Sequence, residues 1–210
     1  MPSWEIEDKF VGVVCGVDEA GRGPWVGPVV AGAVIFLTRD VSPELLQNLD
    51  DSKKLSASKR EKLYQLLRHE EQLGHICCGI GLASAQEIDE LNILQATFLA
   101  MSRAVTQLEI KPQQALIDGN RLPAEFVCPT SCYISGDARS YSIAAASILA
   151  KVYRDNLMQK LATKYPYYGF EKNAGYGTKE HIAGIRAHGI TPEHRQSYKP
   201  IRKYLQTQKI

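Results

Sequence analysis

The sequence predicts an α/β fold: a mixed sheet flanked by helices, with a helical C-terminal extension. Three observations predict it. Nearly continuous, β-rich apolar runs from Val11 to Val17 and from Val29 to Leu37 read as largely buried strands. Later strand-like runs alternate with segments whose apolar residues keep helical spacing, the pattern of helices stacked on a sheet. From Tyr165 onward the chain is basic and aromatic, with helical pattern and no further strand. The 210 residues suffice for one domain, or for one domain with an appendage. The expected division is a body at 1–165 and a basic helical extension at 166–210 packed on it, joined by a loop at 166–177.

In chain order, the two opening strands are separated by a polar segment too long for a tight hairpin. Arg39 to Leu55 reads as loop, with Pro43 and a polar run at 50–54. Ala57 to Gln72 reads as a helix, capped by Ser56 or Ser58, with Leu63, Leu66, Leu67 and Leu73 at helical spacing. Ile76 to Leu82 is a third strand. Ser84 and Glu87 form a capping box for a short helix. A longer helix from Ile93 to Leu108 keeps Leu94, Phe98, Met101, Val105 and Leu108 on one face. Gln114 to Ile117 is a fourth strand, running into Asp118-Gly119-Asn120, and Phe126 to Ile134 a fifth, weakened by Pro129. A long helix spans Tyr141 to Lys164. The small residues at its start let another backbone pack close. Thr178 to His188 reads as a helix, stopped by Gly189.

Composition narrows the function classes. No apolar run approaches the ~20 residues of a membrane span, and the start of the chain does not read as a secretory signal. Five cysteines lack zinc-site spacing; Cys15, Cys77 and Cys78 lie in apolar runs and read as buried free thiols, so a cytoplasmic location is expected. Neither a P-loop, nor a dinucleotide fingerprint, nor a G-x-S-x-G elbow is present. The five histidines read as surface or partner-facing rather than as catalytic bases. Net charge is only +2, yet residues 1–150 hold 13 Lys/Arg against 19 Asp/Glu, and residues 151–210 hold 12 against 4. A basic quarter on an acidic body is compatible with a phosphate-backbone partner or with a plain solvated face.

Four carboxylates, Asp18, Glu19, Asp118 and Asp137, each sit where an expected strand stops, and strand ends in α/β sheets collect ligands. Brought together they would repel one another, and a divalent cation would remove that cost; all-oxygen donors favour Mg2+ or Mn2+. Taken singly, Asp118 and Asp137 also fit turn or cap roles. Gly21-Arg22-Gly23 follows the first acids at once and suits either a backbone approached by a ligand or a tight turn. Tyr176, between Gly175 and Gly177, suits either stacking on a nucleotide or packing on the body.

Together these motifs resemble bacterial ribonuclease HII, the type 2 ribonuclease H. The resemblance rests on Gly16 to Pro24 (GVDEAGRGP), Asp51-Ser52-Lys53-Lys54-Leu55, Glu87 to Ile93, Leu116 to Asn120, Ser142 to Ile148 with Lys151 and Arg154-Asp155, and Gly175-Tyr176-Gly177. It implies a ribonuclease H-like fold. It also implies hydrolysis of the RNA strand of RNA–DNA hybrids and incision 5′ of ribonucleotides embedded in duplex DNA, leaving 3′-hydroxyl and 5′-phosphate ends. Asp18, Glu19, Asp118 and Asp137 match the family's metal-binding catalytic acids, for Mn2+ or Mg2+. Gly21, Arg22 and Gly23 match the residues that read the ribose 2′-OH, and Tyr176 matches the junction-sensing tyrosine. Lys53 is expected at the substrate. A monomer is expected. Ser135 and Ala174 stand where many members carry lysine, which predicts weaker substrate binding and a shallower salt dependence. The rival readings are a junction nuclease of the same superfamily and a non-catalytic nucleic-acid-binding protein.

Overall fold

The computed structural model describes residues 1–52 and 54–207. A five-stranded sheet forms its centre: β1 (Val14–Ala20), β2 (Val29–Phe36), β3 (Ile76–Ala83), β4 (Gln114–Asp118) and β5 (Thr130–Tyr133), in the spatial order β3-β2-β1-β4-β5. β1, β2 and β3 pair antiparallel, while β4 runs parallel to both β1 and β5, so the sheet is mixed. Among the described residues eight α-helices accompany it: α1 (Pro43–Asn48), α2 (Ala57–Gln72), α3 (Ala85–Leu91), α4 (Ile93–Thr106), α5 (Tyr141–Lys164), α6 (Phe170–Asn173), α7 (Lys179–His188) and α8 (Lys199–Thr207).

Strand alternation sends Cys15 and Val17 to one face, where Ala96, Ala100, Met101 and Ala104 of α4 cover them. On the other face α5, α2 and α1 enclose Val34 with Ala145, Ile148, Leu149, Leu67 and Leu45. The small residues opening α5 permit a very close approach. A Cβ on Gly16 would lie 2.1 Å from the Ser142 carbonyl carbon, so only glycine lets this helix start lie on β1. The same helix start is held by Ser140, whose side chain accepts from Ile143 N, and by Glu7, whose Oε1 accepts from Ser142 N at 3.0 Å and from Ser140 and Ser142 Oγ at 2.7 Å.

The bounds of α2 and α5 and the capping box of α3 match the sequence reading, and Ser56, not Ser58, caps α2. Other elements differ. The first strand begins at Val14, leaving Val11 98% exposed, and continues through both acids because Asp18, Glu19 and Ala20 pair with Gly32, Ala31 and Val30 of β2. Asp18 and Glu19 are therefore inside a strand, not past its end. Within the expected loop, Pro43 starts α1, where Pro's missing N–H costs nothing. The fifth strand keeps only four residues. The joining loop contains α6, and Phe170 and Tyr168 are buried with Val26, Met158, Ile185 and Ile201. Cys15 and Cys77 are buried, Cys78 half-buried, and all five thiols are free. Among the described residues no helix is long and apolar enough to cross a membrane.

Candidate active site

Register brings the acids together. The parallel pair Val17–Ile117 places Asp18 beside Asp118 on neighbouring strands. The Asp118 side chain then accepts a hydrogen bond from Gly136 N at 2.7 Å, which fixes the 3₁₀ turn Gly136–Ala138 and, within it, Asp137. One carboxylate oxygen each of Asp18, Asp118 and Asp137 lie within 4.8 Å of one another. Asp18 and Asp137 are buried. Burial, then the charges of Glu19 and Asp118, raises the Asp18 carboxyl well above the usual carboxylate range, and the Glu19 N–H that donates to Asp18 Oδ1 at 2.7 Å only partly opposes this. Such a strained, all-oxygen donor set suits a divalent cation, with no histidine or thiolate in it to favour zinc. Glu19 alternates to the other side of the strand and lies outside that close group; its Oε1 is 3.3 Å from Arg22 Nη1.

The glycine–arginine loop is held from within by two buried arginines. Arg195 donates from Nη2 to Gly21 O at 2.6 Å, from Nη1 to Arg22 O at 3.0 Å, and from Nε and Nη2 to Gly27 O at 2.9 and 2.8 Å. Arg154 donates to Pro28 O, Ala174 O and Val26 O. Gly21 has φ +99°, and a Cβ there would fall 2.0 Å from Arg154 Nε. Because trans peptides are planar, turning the Gly21 and Arg22 carbonyls toward Arg195 aims the N–H groups of Arg22 and Gly23 the opposite way. A Cβ on Gly23 would stand 3.2 Å from the Tyr176 ring, which is 54% exposed. Glu19, Gly21, Arg22, Gly23, Lys151 and Tyr176 line one open cleft of about 540 Å³.

The sequence signature of the family described as Ribonuclease HII matches residues 15–201. The chain belongs to the ribonuclease HII family. It is 50% identical to the ribonuclease HII of Paramagnetospirillum magneticum, over 98% of this chain and 99% of that one. It is 51% identical to that of Jannaschia sp. strain CCS1, over 97% and 98%. The crystal structure of ribonuclease H2 from Pyrococcus horikoshii OT3 superposes with a TM-score of 0.74 at 27% identity, over 93% of this chain and 98% of that chain. The fold is the ribonuclease H-like one, and the chain is a metal-dependent ribonuclease.

For a ribonuclease HII, several features were out of reach of sequence reasoning. Lys53 lies outside the described residues. Arg154 and Arg195 belong to the basic quarter, but their guanidinium groups are buried against carbonyls, so that part of the quarter's charge is internal scaffolding. Burial, then the charge of Arg195, lowers Arg154 to about 10, still cationic at neutral pH. Two histidines correct the surface reading: His181 and His194 are buried. His69 and His188 are exposed as expected, His188 stacking on Tyr167, and the half-buried His75 pairs with Glu70 at 2.7 Å. The seven-residue spacing of His181 and His188 carried no hint of this, because His194 lies in a later loop.

Proposed function

We propose that this chain hydrolyses the RNA strand of RNA–DNA hybrids and incises 5′ of ribonucleotides embedded in duplex DNA, leaving 3′-hydroxyl and 5′-phosphate ends. The observation that carries the reading is the convergence of the Asp18, Asp118 and Asp137 carboxylates next to a glycine loop whose carbonyls are turned inward. Asp18, Asp118 and Asp137, with Glu19 joining from the adjacent position, would hold Mn2+ or Mg2+. Two such ions supply an activated water and charge neutralisation at the leaving oxygen of a phosphodiester. The Arg22 and Gly23 N–H groups and the Arg22 side chain face the ribose 2′-OH, the one group that marks a ribonucleotide among deoxyribonucleotides. The exposed Tyr176 ring beside Gly23 stacks on the next sugar. Lys53 contributes charge toward the substrate. Segment 166–210 serves as an extension of the 1–165 body, and the enzyme works as a cytoplasmic monomer.

The test is a DNA duplex with one embedded ribonucleotide, incubated with Mn2+ or Mg2+ and either wild type or Asp118→Asn. Wild type is expected to cut 5′ of the ribonucleotide, and the variant to lose at least ~100-fold in rate, as for removal of a principal electrostatic group. Binding without cleavage by wild type would overturn the substrate assignment. Undiminished cleavage by Asp118→Asn would overturn the metal site.

A further inference from the structure

Behind Tyr176, inside the C-terminal cluster, lie two buried histidines that the catalytic reading does not use. His181 is 0% and His194 1% exposed, and their Nε2 atoms are 3.1 Å apart. Two neutral imidazoles can hydrogen-bond this way only if one donates and the other accepts, and the ends of the chain decide which. Thr191 N–H donates to His194 Nδ1 at 2.9 Å, so the His194 proton is on Nε2. His194 Nε2–H therefore donates to His181 Nε2. The His181 proton is then on Nδ1, which lies 2.9 Å from the Tyr176 carbonyl oxygen, an acceptor only. Both ends agree, and the result is a single directed relay from Thr191 N–H to Tyr176 C=O.

The pair is kept neutral by its surroundings. Phe170 and Tyr168 meet His181 edge-on and Trp25 tilts against it, while Tyr168 and Phe170 also flank His194; no carboxylate is among these ring contacts or hydrogen-bond partners. Burial, then the neighbouring His181, lowers His194 to about 4, and burial lowers His181. The turn that carries Tyr176 is fastened elsewhere too. Tyr176 O also accepts from Thr178 N, Tyr176 N donates to Asn173 O, and Gly175 O accepts from Trp25 N, each at 2.9 Å. The histidine relay is the tie that runs from this turn into the 191–195 loop, whose Arg195 holds the Gly21–Arg22 carbonyls. The adjacent buried residues His194 and Arg195 thus secure both sides of the cleft, the glycine loop through Arg195 and the tyrosine turn through His194.

We propose that His181 and His194 are positioning residues for Tyr176: their relay sets the height of the tyrosine ring over Gly23, and with it the recognition of a ribonucleotide followed by a deoxyribonucleotide. The proposal rests on the assignment of Tyr176 to the substrate. A fully satisfied buried polar pair fixes one geometry where apolar side chains of equal volume would allow several. The relay acts through Tyr176 and touches neither substrate nor metal.

The test is a mutant cycle read on two substrates, a duplex with one embedded ribonucleotide and a continuous RNA–DNA hybrid. His181→Phe keeps the ring volume and removes both nitrogens. His181→Asn restores a side-chain N–H near the Nδ1 position. His181→Phe is expected to raise KM for the single-ribonucleotide duplex about tenfold, a fraction of one stacking interaction, with a smaller change on the hybrid and with kcat moved less. His181→Asn should recover most of the loss. On a Tyr176→Ala background, His181→Phe should add nothing, because the two act as one unit. If His181→Phe does not fold, as judged by circular dichroism and melting, His194→Gln takes its place in the cycle. Equal defects in His181→Phe and His181→Asn, or multiplicative effects in the double variant, would overturn the relay alone. A silent Tyr176→Ala would overturn the tyrosine assignment, and the relay's role with it.

Discussion

Replacing Arg195 by lysine isolates what the buried guanidinium does. The cation stays buried, so relief from burying a charge does not enter, and the change removes the planar fork. Arg195 makes five hydrogen bonds: four to the carbonyls of Gly21, Arg22 and Gly27, and one to Tyr198 Oη at 2.9 Å. Arg22 O keeps a second donor in the Tyr198 hydroxyl. Among the described hydrogen bonds, Gly21 O and Gly27 O depend on Arg195. An ammonium reaches one side of this cage, which leaves at least one carbonyl buried and unpaired at about 1–3 kcal/mol and loses charge-assisted bonds worth about 1.5 kcal/mol or more each. The expected destabilisation is about 2–4 kcal/mol, or roughly 5–15 °C in melting temperature for a chain of this size. Urea unfolding measures it. Because the released carbonyls belong to the glycine–arginine loop, kcat/KM on a duplex with one ribonucleotide should fall by more than the fraction of protein unfolded. A variant within about 0.5 kcal/mol of wild type and with unaltered kcat/KM would refute the claim that Arg195 sets the loop.

The other expectations follow from the same geometry. Asp18 has its folded pKa raised by burial, then by Glu19 and Asp118, so the stability it contributes is present below the unfolded value near pH 4 and lost as pH rises toward the raised folded value. Metal-free Asp18→Asn should therefore melt a few degrees above wild type at pH 7.5, with the gap closing near pH 4. Mn2+ at about 100 times its Kd should stabilise wild type by about 3 kcal/mol and the variant far less; a metal-free variant less stable than wild type would contradict this. Gly21→Ala meets both a φ of +99° and the Arg154 guanidinium, and should cost about 2–4 kcal/mol by thermal melting. Ser135 and Ala174 both sit at left-handed φ, 53° and 48°, where lysine adds little strain beyond what serine and alanine already bear. Ser135→Lys with Ala174→Lys should steepen the plot of log kcat/KM against log salt by about 1–2, and an unchanged slope would show that neither position faces a phosphate.

Local chemistry was legible in the chain. A cap followed by helical spacing sets the bounds of α2 and α5 within their own residues, and Ser84 with Glu87 closes a capping box across three positions. The six-residue α1 was not legible, because it buries only Leu45 and shows no periodicity. The acids were recognisable as a set by lying near strand ends, and the fold class followed from alternating runs. Which acids meet was settled elsewhere. The order β2-β1-β4-β5 and the register Val17–Ile117 join residues a hundred positions apart, and Glu19, one residue along β1 from Asp18, stands outside the close group of three. The buried roles of Arg154, Arg195, His181 and His194 have no local signature, since a basic residue in a basic quarter of the chain reads as surface until its partners are in place. The sequence by itself determined most of the elements and the kinds of side chain available for chemistry, because propensity, capping and period act over a few residues. Only the tertiary structure decided which carboxylates share one site and which cations are scaffolding, because those outcomes depend on long-range register and on burial.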